Sequence, residues 1–138
     1  MSQTSDNNEE VVIPEEVERL AKQVVDAAFR VHTKLGPGLL ERVYEECLIY
    51  ELKKKGLKVE QQVLLPIVYD ELHLENALRI DILVENCIVI ELKAVEVTLP
   101  VHKFQVLTYL KLSGHRLGFL INFNVPFIKE GIKRLVRG

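Results

Sequence analysis

Two neighbouring apolar runs, ALRIDILV (77–84) and CIVIELKA (87–94), constrain this chain more than any other feature. Their aliphatic, β-branched composition predicts antiparallel strands near the middle of a sheet, joined at Glu85-Asn86. Charge interrupts both: Asp81 lies in the first, Glu91 and Lys93 in the second. A charge buried without a partner is costly, so these three residues need a reason. Side chains alternate between the two faces of a strand, which puts Ile80, Ile82 and Val84 on one face and Ile88, Ile90 and Leu92 on one face of the next. Both apolar sets reach the same core only if Val84 pairs with Ile88 and Ile82 with Ile90. A two-residue loop would instead pair Val84 with Cys87 and throw the acids onto opposite faces. An odd-numbered connection or a bulge is therefore expected. It sets Asp81 across from Glu91 and gathers Asp81, Glu91 and Lys93 on one face.

Two carboxylates ~4 Å apart at an effective dielectric near ~20 repel by roughly 4 kcal/mol, and a positive charge must offset this. Two readings fit. Glu91 and Lys93 form a structural ion pair at a strand end, or the acids await a divalent cation. Hard oxygen donors favour magnesium or manganese over zinc. Acids that fix such an ion beside a lysine that orients water or stabilises pentavalent phosphorus are the parts of metal-assisted phosphodiester hydrolysis.

The rest of the chain supplies helices. Pro14 with Glu15, Glu16 and Glu18 is a helix start, and Val17, Leu20, Val24, Ala28, Val31 and Leu35 recur at helical steps over 15–35. Gly36-Pro37-Gly38 stops that helix. A second is predicted from about Leu39 to Lys55, with Leu40, Tyr44, Cys47, Leu48 and Leu52 inward. Residues 58–69 form a strand placed at an edge by Pro66, and a polar break over 70–76 has room for a short strand. A helix begins at Pro100, carries Val101, Phe104, Leu107, Thr108 and Leu112 at helical steps, and ends at Ser113-Gly114. Residues 115–123 form a buried strand. Residues 131–136 fit a strand or a short helix. The expectation is a single α/β domain over 13–138 behind a disordered tail of residues 1–12.

Composition narrows the function. The 138 residues are 48% hydrophobic and 28% charged, ordinary for a globular protein, with a net charge of −2 that argues against a general nucleic-acid coat but not against a local basic groove. No apolar run approaches the ~20 residues of a membrane span, and the first residues carry no secretory pattern. Cys47 and Cys87 stand alone, which fits small apolar fillers in a reducing cytoplasm rather than a disulfide or zinc site.

Further spacings bear on the hairpin. His102, Gln105 and Tyr109 share nearly one stripe of their helix, and Glu41 and Tyr44 share a face of theirs. Together the segments GPGLLERVYEE (36–46), RIDILVENCIVIELKAVE (79–96), HKFQVLTYL (102–110) and GFLINFNVP (118–126) resemble the GxxExxY family, whose name fits Gly38, Glu41 and Tyr44. That family lies within the PD-(D/E)XK nuclease superfamily, and the resemblance covers about residues 14–136. It implies a restriction-endonuclease-like core, a mixed sheet flanked by helices in αβββαβ order, here with an extra N-terminal helix. It also implies that Asp81, Glu91, Glu41 and the Leu92 carbonyl hold Mg2+ or Mn2+, that Lys93 is the catalytic lysine, and that Gln105 and Tyr109 brace the lysine or meet the nucleic-acid backbone. Tyr44, Arg79 and His102 are candidates for substrate contact. Ile80 stands where the superfamily carries a proline. The implied activity is DNA cleavage, with a homodimer as the assembly that lets a small domain cover a duplex. The alternative is a non-catalytic module keeping the nuclease fold to bind nucleic acid or protein.

Overall fold

The structure, a computed structural model, describes residues 12–138; the predicted tail falls, for residues 1–11, outside them. Helix α1 (Glu15–Leu35) starts after Pro14, places Glu15, Glu16 and Glu18 at its positive end and is followed by Gly36. Helix α2 (Glu41–Lys54) follows the Gly36-Pro37-Gly38 turn, where both glycines take positive φ, +69° and +100°. The chain then runs through β1 (Val59–Tyr69), β2 (Leu72–Val84), β3 (Ile88–Lys93), α3 (Pro100–Ser113), β4 (Leu117–Asn122), the short α4 (Ile128–Gly131) and β5 (Ile132–Val136). From α2 to β4 this is the expected αβββαβ order, with α1 before it and α4 and β5 after. The undecided segment 131–136 is a strand.

The five strands form one sheet in the order β1-β2-β3-β4-β5. The β3–β4 pair is parallel and the rest antiparallel, so α3 is the crossover that parallel neighbours require. Helices α1 and α2 cover one face, packing Val24, Ala28, Tyr44, Leu48 and Leu52 against Ile82, Val84, Ile88, Ile90, Phe119 and Ile121. On the other face Val106 and Leu110 of α3 pack on Ile80, Leu83, Val89 and Leu120.

The central hairpin has the register its apolar pattern demands: Val84 pairs with Ile88, Leu83 with Val89 and Ile82 with Ile90. The connection is the odd-numbered Glu85-Asn86-Cys87, with Glu85 and Asn86 both left-handed at φ +51° and +53°. Four details differ from expectation. First, the strand for which 70–76 had room is not a separate one: β2 begins at Leu72, pairs there with Tyr69 of β1, and continues to Val84 through a register shift around Asn76. Second, Ile80 does not share a core with Ile82; it packs beneath α3, since the β1–β2 ribbon changes faces between these residues. Third, the apolar stripe of α3 points outward: Val101 and Phe104 are 61% and 62% exposed, while Val106 and Leu110 are buried. Leu40, expected inward, is likewise exposed at the mouth of α2.

Candidate active site

The site lies where β2 and β3 part. Pairing between them runs from Val84 to Ile82 and stops short of the expected Asp81–Glu91 pair, because at that step Asp81 Oδ2 accepts the Leu92 N–H at 3.0 Å in place of a backbone carbonyl. This bond fixes the aspartate beside the end of β3. A strand residue directs its N–H and C=O to the same neighbour, so the Leu92 carbonyl also faces the Asp81 side. Glu91 and Lys93 flank Leu92 and point to the opposite face from its side chain. Their ammonium–carboxylate distance is 3.8 Å. Lys93 is held through its backbone: its carbonyl accepts the Phe123 N–H at 3.0 Å, and β4 pairs Asn122 with it.

Glu41 enters from the first position of α2. Although Glu41 is exposed, partial desolvation of its carboxyl and then the Asp81 charge raise it above the usual carboxylate range, against the pull of Lys93. Glu91 is affected more strongly. Burial and Asp81 push it up to about 8, with Glu41 adding and Lys93 and Arg79 opposing. The acids from α2, β2 and β3 therefore sit within one another's field. Glu91 Oε1 is buried with no hydrogen-bond partner among the described residues. A buried oxygen without a donor is one a cation could satisfy.

These residues fit a divalent ion by chemistry, since every donor is a hard oxygen and one buried oxygen is unpaired. They do not form a closed cage: among the described residues no three His, Cys, Asp or Glu side chains are drawn together tightly enough to hold a metal. The site as built is a set of acids held near one another and short of positive charge.

The raised Glu91 makes stability depend on pH. Its folded value lies above 4.5, the ordinary one, so between pH 4.5 and about 8 the folded protein holds a proton that the unfolded chain has released. The penalty for ionising Glu91 is absent below that window, grows through it and is complete above it. Glu91→Gln should therefore raise the metal-free melting temperature at pH 8 by an amount reflecting a few kcal/mol, and change it little at pH 4.5. Paired thermal melts at the two pH values check this.

The other candidates separate. Arg79 is exposed and close enough to lower both Glu41 and Glu91. Gln105 Nε2 donates to Tyr109 Oη at 3.0 Å, so these two form one unit on α3, on the sheet face toward which Glu91 and Lys93 project. His102 is engaged in capping: its Nδ1 accepts the Leu99 N–H at 3.0 Å at the start of α3. Tyr44 is fully buried. Its ring stacks on Phe123 at 4.7 Å, and its hydroxyl donates to the Gly36 carbonyl at 2.6 Å and accepts the Leu39 N–H at 3.0 Å. It ties down the turn that delivers Glu41 and has no surface left for a substrate, so its packing reading holds.

Sequence reasoning missed three residues around the site. Asn122 is buried and bonds Val95 through both its oxygen, at 3.1 Å, and its nitrogen, at 2.9 Å, pinning the segment after Lys93. Glu45 is buried one turn beyond Glu41, and Gln62 reaches it from β1. The four-residue spacing from Glu41 was the one available signal for Glu45.

Among known protein families, one described as the PD-(D/E)XK nuclease superfamily matches residues 18–135, nearly the whole chain. No curated protein and no solved structure matches it. The mixed five-stranded sheet flanked by helices accords with the restriction-endonuclease-like fold of that superfamily, whose members generally use divalent metals such as Mg2+. Among the described residues no helix is long and apolar enough to cross a membrane. The match points to nuclease function, with nucleic acid as the substrate class. On the extent of that match, the chain belongs to the PD-(D/E)XK nuclease superfamily.

Proposed function

We propose that this protein is a magnesium- or manganese-dependent nuclease of the GxxExxY type that hydrolyses phosphodiester bonds in DNA, built as a single domain over residues 13–138. The observation that carries the reading is the state of Glu91: buried, one oxygen unpaired, and pushed up to about 8 by that burial and then by the Asp81 and Glu41 charges. A fold that keeps such a group without a full counter-charge is spending stability on a function.

In this reading Asp81, Glu91, Glu41 and the Leu92 carbonyl hold the ion. When bound, the ion would supply charge neutralisation at the phosphoryl group and a more acidic water. Lys93 donates a hydrogen bond to the attacking water, or to the phosphoryl oxygen that gains charge, from an ammonium whose backbone is fixed by β4. Glu91, 3.8 Å away, keeps that ammonium turned into the site. Arg79 is free to meet the phosphate backbone, and the Gln105–Tyr109 unit offers an amide and a phenol to the same strand. His102 reaches substrate only by giving up its cap. A homodimer and a reducing, cytoplasmic setting complete the proposal; free Cys47 and Cys87 support the latter.

The open arrangement of the acids favours a second reading, a binding module that keeps the fold without the chemistry. Incubation of the protein with plasmid, single-stranded DNA and RNA, each with Mg2+, Mn2+ or EDTA, separates the two. Metal-dependent cleavage of DNA is the expected result; binding without cleavage in every arm supports the module.

A further inference from the structure

Glu45 has no place in the ligand set proposed above, yet it is 8% exposed and its carboxylate is engaged. One oxygen, Oε2, accepts from Gln62 Nε2 at 2.7 Å and lies 3.5 Å from Gln61 Nε2. Gln62 is itself unusual. Its φ is +53°, a left-handed conformation that non-glycine residues avoid. Of the other such residues, Asp70, Glu85 and Asn86 sit in hairpin connections and Asn76 beside a register shift. Gln62 lies inside a ladder whose register runs on undisturbed, between the pairs Gln61–Ile82 and Val63–Ile80. It therefore falls opposite Asp81.

This is also where the ribbon changes faces. On β1, Val59 packs with the core under α1 and α2, while Val63 and Leu65 pack beneath α3; on β2, Ile82 and Ile80 divide the same way. Strict alternation would keep each of those sets on one face. The left-handed backbone at Gln62 lies at the switch, opposite Asp81. A strained backbone persists only where its surroundings hold it, and the Glu45 carboxylate is what holds the side chain of Gln62.

We propose that Glu45 is a positioning residue: it anchors Gln62, which sets the face switch of the β1–β2 ribbon and so aims the Asp81 carboxylate at the Leu92 N–H and into the active site. The proposal rests on the nuclease reading only in treating Asp81 as a functional carboxylate. Toward Asp81 and Leu92, Glu45 acts by geometry as a hydrogen-bond acceptor; its charge is felt at Glu41, whose carboxyl it helps to raise.

The test is amide hydrogen exchange at Leu92, followed by NMR in the metal-free protein. Glu45→Ala should speed exchange at Leu92 about tenfold or more, while amides of Val24 in α1 and Leu110 in α3 keep their protection. Glu45→Gln retains an acceptor and should leave Leu92 at the wild-type rate. Gln62→Gly removes the backbone strain together with the anchor, so its melting temperature should hold or rise while Leu92 protection falls. With an active enzyme, Glu45→Ala should lower kcat with little change in KM, and Glu45→Gln should restore it. Unchanged Leu92 protection in Glu45→Ala overturns the proposal, as does parallel loss at all three amides, which would mark a purely structural role. Equal deprotection in Glu45→Gln and Glu45→Ala overturns it too, because charge would then be the agent. Exchange needs neither metal nor substrate, so a wild-type protein that cuts nothing removes the nuclease reading without touching this result.

Discussion

Lys93→Ala is expected to lower metal-dependent DNA cleavage about a thousandfold, and Asp81→Asn by at least as much. The two act through different terms. Among the described residues Lys93 is the one ammonium in contact with Glu91, at 3.8 Å, and in the proposed mechanism removing it takes away the donor that orients water or meets charge on phosphorus. It also strips Glu91 of a partner that holds its carboxyl down, so the acid should ionise less readily. Asp81→Asn removes a charge but keeps the shape, and the amide oxygen can still accept the Leu92 N–H. The fold should survive, and the metal-free protein should become slightly more stable because the acids lose a source of mutual repulsion. Initial rates on a DNA substrate with saturating Mn2+, alongside melting curves of each variant, measure both effects. Residual activity equal to wild type in either variant would contradict these roles.

The second large effect concerns stability. Tyr44→Ala should cost about 3–5 kcal/mol, because it empties a fully buried aromatic site stacked on Phe123. It also strands the Gly36 carbonyl and the Leu39 N–H, each of which bonds the hydroxyl. Tyr44→Phe keeps the ring and should cost about 1–2 kcal/mol. Urea denaturation at constant pH resolves both values. If Tyr44 instead acted on substrate, Tyr44→Phe would reduce cleavage while leaving the denaturation midpoint in place.

These expectations show what the residue pattern could and could not reveal. The register of the central hairpin was legible because one pairing alone sends Ile82, Val84, Ile88 and Ile90 into a common core. It placed Asp81 beside the end of β3, but the ladder stops at Ile82–Ile90, and the link there is the Asp81 side chain on the Leu92 N–H and not a pair with Glu91. The exchange of faces at Gln62 was not legible: glycine or asparagine marks a left-handed position, and glutamine does not. For that reason Ile80 was assigned to the wrong core. The outward stripe of α3 misled in another way. Val101, Phe104 and Leu112 have helical spacing, and periodicity finds an apolar face without saying whether the sheet or solvent meets it. Tyr44 shares a face with Glu41, but spacing cannot tell a ring that packs from one that touches a ligand; its two bonds to the preceding turn decide that.

The proposed nuclease chemistry requires Asp81, Glu91 and Glu41 to form the seat of a divalent cation. Melting curves at pH 8 with and without millimolar Mn2+ test it most directly, because an ion that binds the folded state raises the midpoint by mass action. The wild type should gain several degrees, and Asp81→Asn should gain almost none. A wild-type midpoint that stays in place with Mn2+, or an equal rise in Asp81→Asn, would contradict the account.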